Sequence, residues 1–182
     1  MNKPKLTRKE LERMISTHKI EDRVFVVGIR GYYKRTMGNP LKNDRGIYDD
    51  ALFIVTPDSF QPFNANTDPS KFGKNKSGNG IATLVPGMYR YRPGPHGINS
   101  GKPYPAFIQA DKVKVTRDGN GDRIFEGYFG INIHRGGSIT TSSEGCQTIY
   151  KTQWEKFHSQ LTLELDKWHQ ETFTYLLIDP EN

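Results

Sequence analysis

Cysteine is all but absent from this chain of 182 residues: Cys146 is the only one. An intramolecular disulfide is excluded, so the fold must stand on its hydrophobic core. Long apolar runs are missing too, and no stretch approaches the roughly 18 apolar residues that a spanning helix needs. The basic start, Met1-Asn2-Lys3-Pro4-Lys5, is not followed by an apolar segment, and no signal peptide is expected. No His, Cys or Asp cluster has metal-ligand spacing, which predicts no metal and no other cofactor. The net charge is +6, yet Lys and Arg never run five together. With no helix-turn-helix or RNA-binding motif, a nucleic-acid reader is not expected. A solvated basic surface remains, suited to an anionic polymer.

What the chain does hold is Gly (18), Pro (11), Phe (10) and Tyr (9), the composition of a loop-rich, strand-rich protein. Its length predicts a single domain over 1–182. Thr7-Arg8-Lys9-Glu10 is a capping box, and Leu11, Met14 and Ile15 form an apolar stripe. Residues 1–20 are therefore read as a helical segment packed on the rest. β-Branched and aromatic runs at 23–29, 51–55, 81–85, 88–91, 106–109, 113–116 and 173–178 read as strands. The polar stretch 61–80 reads as a rim loop.

Residues 112–129 form a hairpin around the Asp-Gly and Asn-Gly pairs of 117–122. Asp118, Asn120 and Asp122 have calcium-loop spacing, but the acidic twelfth residue is missing, so a plain turn is expected. Thr152-Gln153-Trp154-Glu155 is a second capping box, opening a helix whose Trp154, Phe157, Leu161, Leu165 and Trp168 face the core. His18, His158 and His169 fall on helix surfaces. The sum is a mainly-β fold: a β-sandwich or partly closed barrel with an N-terminal helix and a C-terminal helix.

One stretch carries chemistry. An alternating strand, Ile131-Asn132-Ile133-His134, runs into a Gly/Ser/Thr loop that delivers Ser143-Glu144-Gly145-Cys146 and then Gln147-Thr148-Ile149. A thiol acts as a nucleophile only as thiolate, so it needs a base, and His is the side chain that serves near neutral pH. Twelve positions separate His134 from Cys146, enough for the loop to turn back. Gly145 permits an unusual backbone conformation, and the N–H groups of Gly145 and Cys146 are placed to face an oxyanion. Ser143 and Thr148 are placed to buttress the turn. From the loop alone, a buried Cys and an interior His account for these residues equally well.

His, a loop, then Ser-x-Gly-Cys resembles the signature of the L,D-transpeptidase (YkuD-type) catalytic domain. Three of the four positions in Ser143-Glu144-Gly145-Cys146 match, and His134 matches the upstream base. Pro86-Gly87-Met88-Tyr89 extends the likeness, and the chain as a whole is similar to compact phage-encoded members. The resemblance implies a β-sandwich with one or two helices and a Cys146 nucleophile with His134 as base. It also implies backbone support from Gly145, Glu144 and Ser143, and acyl transfer or hydrolysis at an L,D bond of peptidoglycan stem peptides, without a metal.

Arg135, Gly136, Gly137, Tyr89 and His96 are the weaker substrate-binding candidates; Tyr91 and Arg92 serve equally as sheet packing. Two departures stand out: Glu144 replaces the motif His, and the His-to-Cys loop is short. Gln147 follows the Cys where members carry other residues. The protein is expected to be made in the cytoplasm, to act at the bacterial cell wall or in a phage particle or lysis system, and to insert in no membrane. The rival is a non-catalytic wall-binding or virion structural protein with a decayed site.

Overall fold

The structure, a computed structural model, describes residues 1–180; Glu181 and Asn182 of the expected 1–182 domain lie outside it. The chain opens on α1 (Arg8–Met14), capped as its sequence predicts: Thr7 accepts from the Glu10 N–H, and Glu10 takes the Thr7 N–H. Strands β1 (Phe25–Ile29), β2 (Asp50–Val55), β3 (Phe60–Asn66), β4 (Ala82–Leu84), β5 (Gly87–His96), β6 (Tyr104–Gln109), β7 (Val113–Arg117), β8 (Phe125–Gly127), β9 (Ile133–Arg135) and β10 (Gln147–Ile149) follow. Helix α2 (Trp154–Lys167) and strand β11 (Phe173–Ile178) end the described chain.

Eight strands close a barrel in the order β1-β11-β5-β6-β9-β10-β3-β2. Its pairs are antiparallel except β1 with β11 and β9 with β10. The smaller sheet β4-β7-β8 lies apart from the barrel strands and shares their core through Ala82, Leu84, Val113 and Val115. Over the described residues the fold is thus mainly β, with two α-helices, as the periodicity predicts. Among the described residues no helix is long and apolar enough to cross a membrane.

Both faces of β1 and β2 are buried, which explains their near-continuous apolar runs. Val26, Leu52 and Ile54 point to the main core, where α2 adds Trp154, Phe157, Leu161 and Leu165. Val27, Ala51 and Phe53 point the other way, onto Leu11 and Ile15 from the α1 region. Gly28 faces inward, where a Cβ would meet the Tyr175 hydroxyl at 2.3 Å. That missing side chain lets Tyr175 cross the barrel to donate to Gln147 Oε1 at 2.9 Å.

Three expectations need correction. Residues 61–66, the first part of the expected rim loop, belong to β3: Phe63 and Ala65 point inward, while Asn64 is held on the other face by Gln153. Polar residues at every second position are what a strand with a polar face looks like, and their partners come from distant segments. Strand β5 runs on past Tyr91 through Pro93 and Pro95 to His96. Its partner β11 ends at Tyr91, so beyond that point one edge is unpaired, and the prolines cost no ladder bond there. Thr152 does not cap α2: the chain enters through a 3₁₀ turn, Lys151–Gln153, and Gln153 spends its side chain on Asn64.

Candidate active site

Strand β9 lies parallel to β10, in register Gln147↔Ile133 and Thr148↔His134. Ile133 points into the core, so His134 points out of the barrel, buried under loops. The loop from 136 to 146 folds back and sets Cys146 at the entrance to β10. The turn needs a glycine: Gly145 has φ +135°, and a Cβ there would meet Ala82 O and Ile131 Cδ1, each at 2.8 Å. Ser143 closes it, donating to Cys146 O at 2.6 Å and accepting from the Gly145 N–H at 3.0 Å. From inside the barrel, Gln147 Nε2 donates to Gly145 O at 3.2 Å. Gln147 is therefore the buried link between Tyr175 and the cysteine turn.

His134 has its tautomer set by its neighbours. Nδ1 lies 2.8 Å from Arg135 O and 3.0 Å from the Tyr104 hydroxyl. A carbonyl only accepts, so Nδ1 carries the proton and Nε2 keeps the lone pair. A ring nitrogen of His134, a ring nitrogen of His96 and Cys146 Sγ all lie within 4.8 Å of one another. Cys146 is half-buried; its thiol accepts from the Asn132 N–H at 3.4 Å and donates to Gly130 O at 3.3 Å.

Burial dominates the electrostatics. It raises the Cys146 thiol to about 11, with the Glu144 charge pushing the same way and the Asn132 N–H opposing. It lowers His134 to about 3, helped by His96 and opposed by the Arg135 carbonyl. The resting pair is thus neutral thiol and neutral imidazole, so proton transfer must accompany attack. Because neutral His134 takes the proton during attack, alkylation of Cys146 by iodoacetamide is expected to change little from about pH 5 to about pH 9. A rise of about tenfold per pH unit, read by mass spectrometry, would instead show that only free thiolate reacts and that His134 takes no proton.

The other candidates separate. His96, Arg135, Gly136 and Gly137 line one cleft with His134 and Tyr104. Arg135 stacks its guanidinium over Tyr104, 5.3 Å from the ring centroid. Tyr89 lies elsewhere, buried with its hydroxyl on Val85 O, and Tyr91 is buried on Ile131 O, so both pack the fold. Glu144 gives the turn no support; its carboxylate is exposed, 4.0 Å from Lys71 Nζ. Thr148 Oγ1 is buried without a hydrogen-bond partner and does not buttress the turn. His158 is half-buried against Phe107 and Trp154 rather than on the surface. His18 and His169 follow the ends of α1 and α2.

Spacing also missed two functional residues: Tyr104, brought beside His134 through the β6/β9 register, and Asn132, whose backbone N–H holds the sulfur. Nor could spacing show that His96 joins Cys146 and His134, because β5 brings it from a distant segment. The trio has the donors of a soft divalent-metal site. The hydrogen bonds suit a metal at His134, whose Nδ1–H is held by a carbonyl. They do not suit one at His96, whose Nδ1 sits 3.1 Å from the Asn132 amide nitrogen. No family model, curated protein or solved structure matches this chain.

Proposed function

We propose that the chain is a cysteine acyl-transfer enzyme of the L,D-transpeptidase type, acting on peptidoglycan stem peptides. One observation carries the reading: the Arg135 carbonyl fixes the His134 tautomer so that Nε2 keeps the basic lone pair, on a ring that has a nitrogen within 4.8 Å of Cys146 Sγ. A buried Cys and a merely structural His have no need of that arrangement. The mainly-β architecture with two helices agrees with the fold that the motif implies, and the +6 charge suits an acidic wall.

In this mechanism Cys146 Sγ attacks the carbonyl at an L,D bond as His134 Nε2 takes the thiol proton. The carbonyl electron pair moves onto oxygen. It returns as the C–N bond breaks, and the leaving amine takes the proton from His134. Water or a second amine then cleaves the thioester, giving hydrolysis or transpeptidation. The Gly145 N–H is committed to Ser143, which leaves the Cys146 N–H as the oxyanion donor from that pair. Hydrolysis of the wall is the outcome we favour.

The rival, a wall-binding or virion structural protein with a decayed site, draws support from Glu144, which raises the thiol pKa. Peptidoglycan tetrapeptides and cross-linked fragments incubated with wild type and Cys146→Ala decide between them. Mass spectrometry is expected to show loss of a D-residue or cleavage of a cross-link with wild type alone. Unchanged fragments with both proteins would favour the rival.

A further inference from the structure

His96 is placed with unusual care. It ends β5 opposite Tyr104 in the β5/β6 register, and Gly97 turns the chain straight after it with φ +84°. A Cβ at that glycine would lie 2.7 Å from Lys102 O. The imidazole lies flat on His134, centroids 4.0 Å apart and planes 13° apart. It also stands where two clefts meet: one lined by Tyr104, His134 and Arg135, the other by Pro95, Ile98, Phe129, Gly130 and Asn132.

The proton on His96 can be placed from hydrogen bonds alone. Asn132 Oδ1 accepts from the Gln109 backbone N–H at 3.2 Å, which fixes which end of that amide is oxygen. The amide nitrogen therefore faces His96 Nδ1 at 3.1 Å, and Nδ1 must be the acceptor. A neutral His96 then carries its hydrogen on Nε2. The same Asn132 steadies the sulfur through its backbone N–H, so one residue orients both groups.

An acyl-transfer site needs donors where the oxyanion forms, and Ser143 has taken the Gly145 N–H. We infer that His96 is a catalytic residue, supplying its Nε2–H to the oxyanion formed when Cys146 attacks a carbonyl. This rests on the acyl-transfer reading above and adds to it a donor that the motif does not contain. The placement fits: a carbonyl oxygen in a tetrahedral adduct sits about 2.7 Å from the attacking sulfur, and a donor must come within 2.7–3.1 Å of it. One ring nitrogen of His96 lies within 4.8 Å of Sγ, which puts the imidazole within the reach that the two spans set together. The step balances as written for the mechanism: the S–C bond forms, the thiol proton passes to His134, and the charge on oxygen is met by the Cys146 and His96 N–H groups.

Two probes separate this role from a structural one. Acylation by 4-nitrophenyl acetate passes through an oxyanion, whereas alkylation by iodoacetamide displaces iodide and forms none. His96→Ala is expected to slow the nitrophenolate burst by about 10²–10³-fold while changing alkylation by no more than about threefold. His96→Gln, whose amide N–H can reach the place of Nε2–H, is expected to recover about tenfold or more of the lost burst rate. Equal falls in acylation and alkylation for both variants would overturn the proposal, as would an undiminished burst in His96→Ala. Absence of any burst from folded wild type would remove the acyl-transfer reading itself. Inertness towards peptidoglycan alone would strike only the substrate assignment.

Discussion

Replacing His134 by glutamine is expected to slow acylation of Cys146 by about 10²–10⁴-fold, the usual contribution of a positioned general base. The expectation is large because burial has raised the thiol to about 11 and left it without spontaneous thiolate near neutral pH. Without Nε2, the thiol proton stays on its hydrogen bond to the Gly130 carbonyl, and a carbonyl is no base. The burst with 4-nitrophenyl acetate reads the effect directly, and a rate unchanged by the substitution would remove His134 from the mechanism.

The same variant has a second readout with a definite sign. His134 titrates near 3 in the folded chain and near 6.5 when unfolded. The unfolded state therefore binds the extra proton between those values, and wild type loses stability as pH falls through that window. Fully expressed, the loss is on the order of 5 kcal/mol. Asp49 works against it: burial raises its carboxyl to about 6, so its stabilisation is present at low pH and lost as pH rises through that value. The net acid slope of wild type mixes these with other buried groups, Asp50, His96 and His158 among them, whereas the difference from His134→Gln reports on the histidine. Denaturant unfolding near pH 7 and near pH 4 is expected to show the variant gaining on wild type at the lower pH.

The parts of this fold that could be read in advance are those written locally. The capping box at Thr7 and the stripes of α1 and α2 depend on residues three or four apart. The hairpin from β7 to β8 depends on its turn. The cysteine turn was legible for the same reason: Ser143, Gly145 and Cys146 act on one another across a few bonds. What misled was chemistry settled by distant partners. Asn64 belongs to a strand because Gln153 waits for it, and Pro93 and Pro95 extend a strand because β11 stops at Tyr91.

The site shows the same division. His134 and Cys146 share one segment and could be paired by eye. His96 and Tyr104 arrive from the far end of the β5/β6 hairpin, and only the register of Phe107 with Ile133 brings that hairpin to β9. A histidine after Arg92-Pro93-Gly94-Pro95 carries no sign that it will stack on another. Conversely, Gly145 advertised a tight turn, but its N–H bonds Ser143 instead of facing a substrate, a detail fixed by the seryl rotamer.

Arg30→Met is expected to destabilise the fold by about 3–5 kcal/mol, the cost of stranding buried charge. Against a usual total of about 5–15 kcal/mol, that is a large share. Arg30 is 8% exposed and stands among buried acids. Its Nε lies 3.3 Å from Asp68 Oδ1 and donates to Thr67 Oγ1 at 3.2 Å. Its Nη2 donates to Thr67 O at 2.9 Å and to Leu84 O at 3.0 Å. Asp50, fully buried, has its carboxyl pushed up by burial and by Asp68 and Asp49, and Arg30 is the cation that opposes this. Methionine fills much of the volume but meets neither the charge nor the two carbonyls.

The damage should reach the active site. The segment that Arg30 holds leads to Ser70, whose N–H donates to Ser143 O at 2.8 Å and whose Oγ accepts from the Ser143 N–H at 2.6 Å. Ser143 in turn closes the cysteine turn. Urea unfolding should therefore show a lower midpoint at unchanged slope, and the acylation burst should slow under conditions where the variant is still folded. If Arg30→Met unfolds at the wild-type midpoint, the acids beneath it are held protonated and the arginine is dispensable. A lower midpoint with a wild-type burst would mean that the strut to Ser143 stands without it.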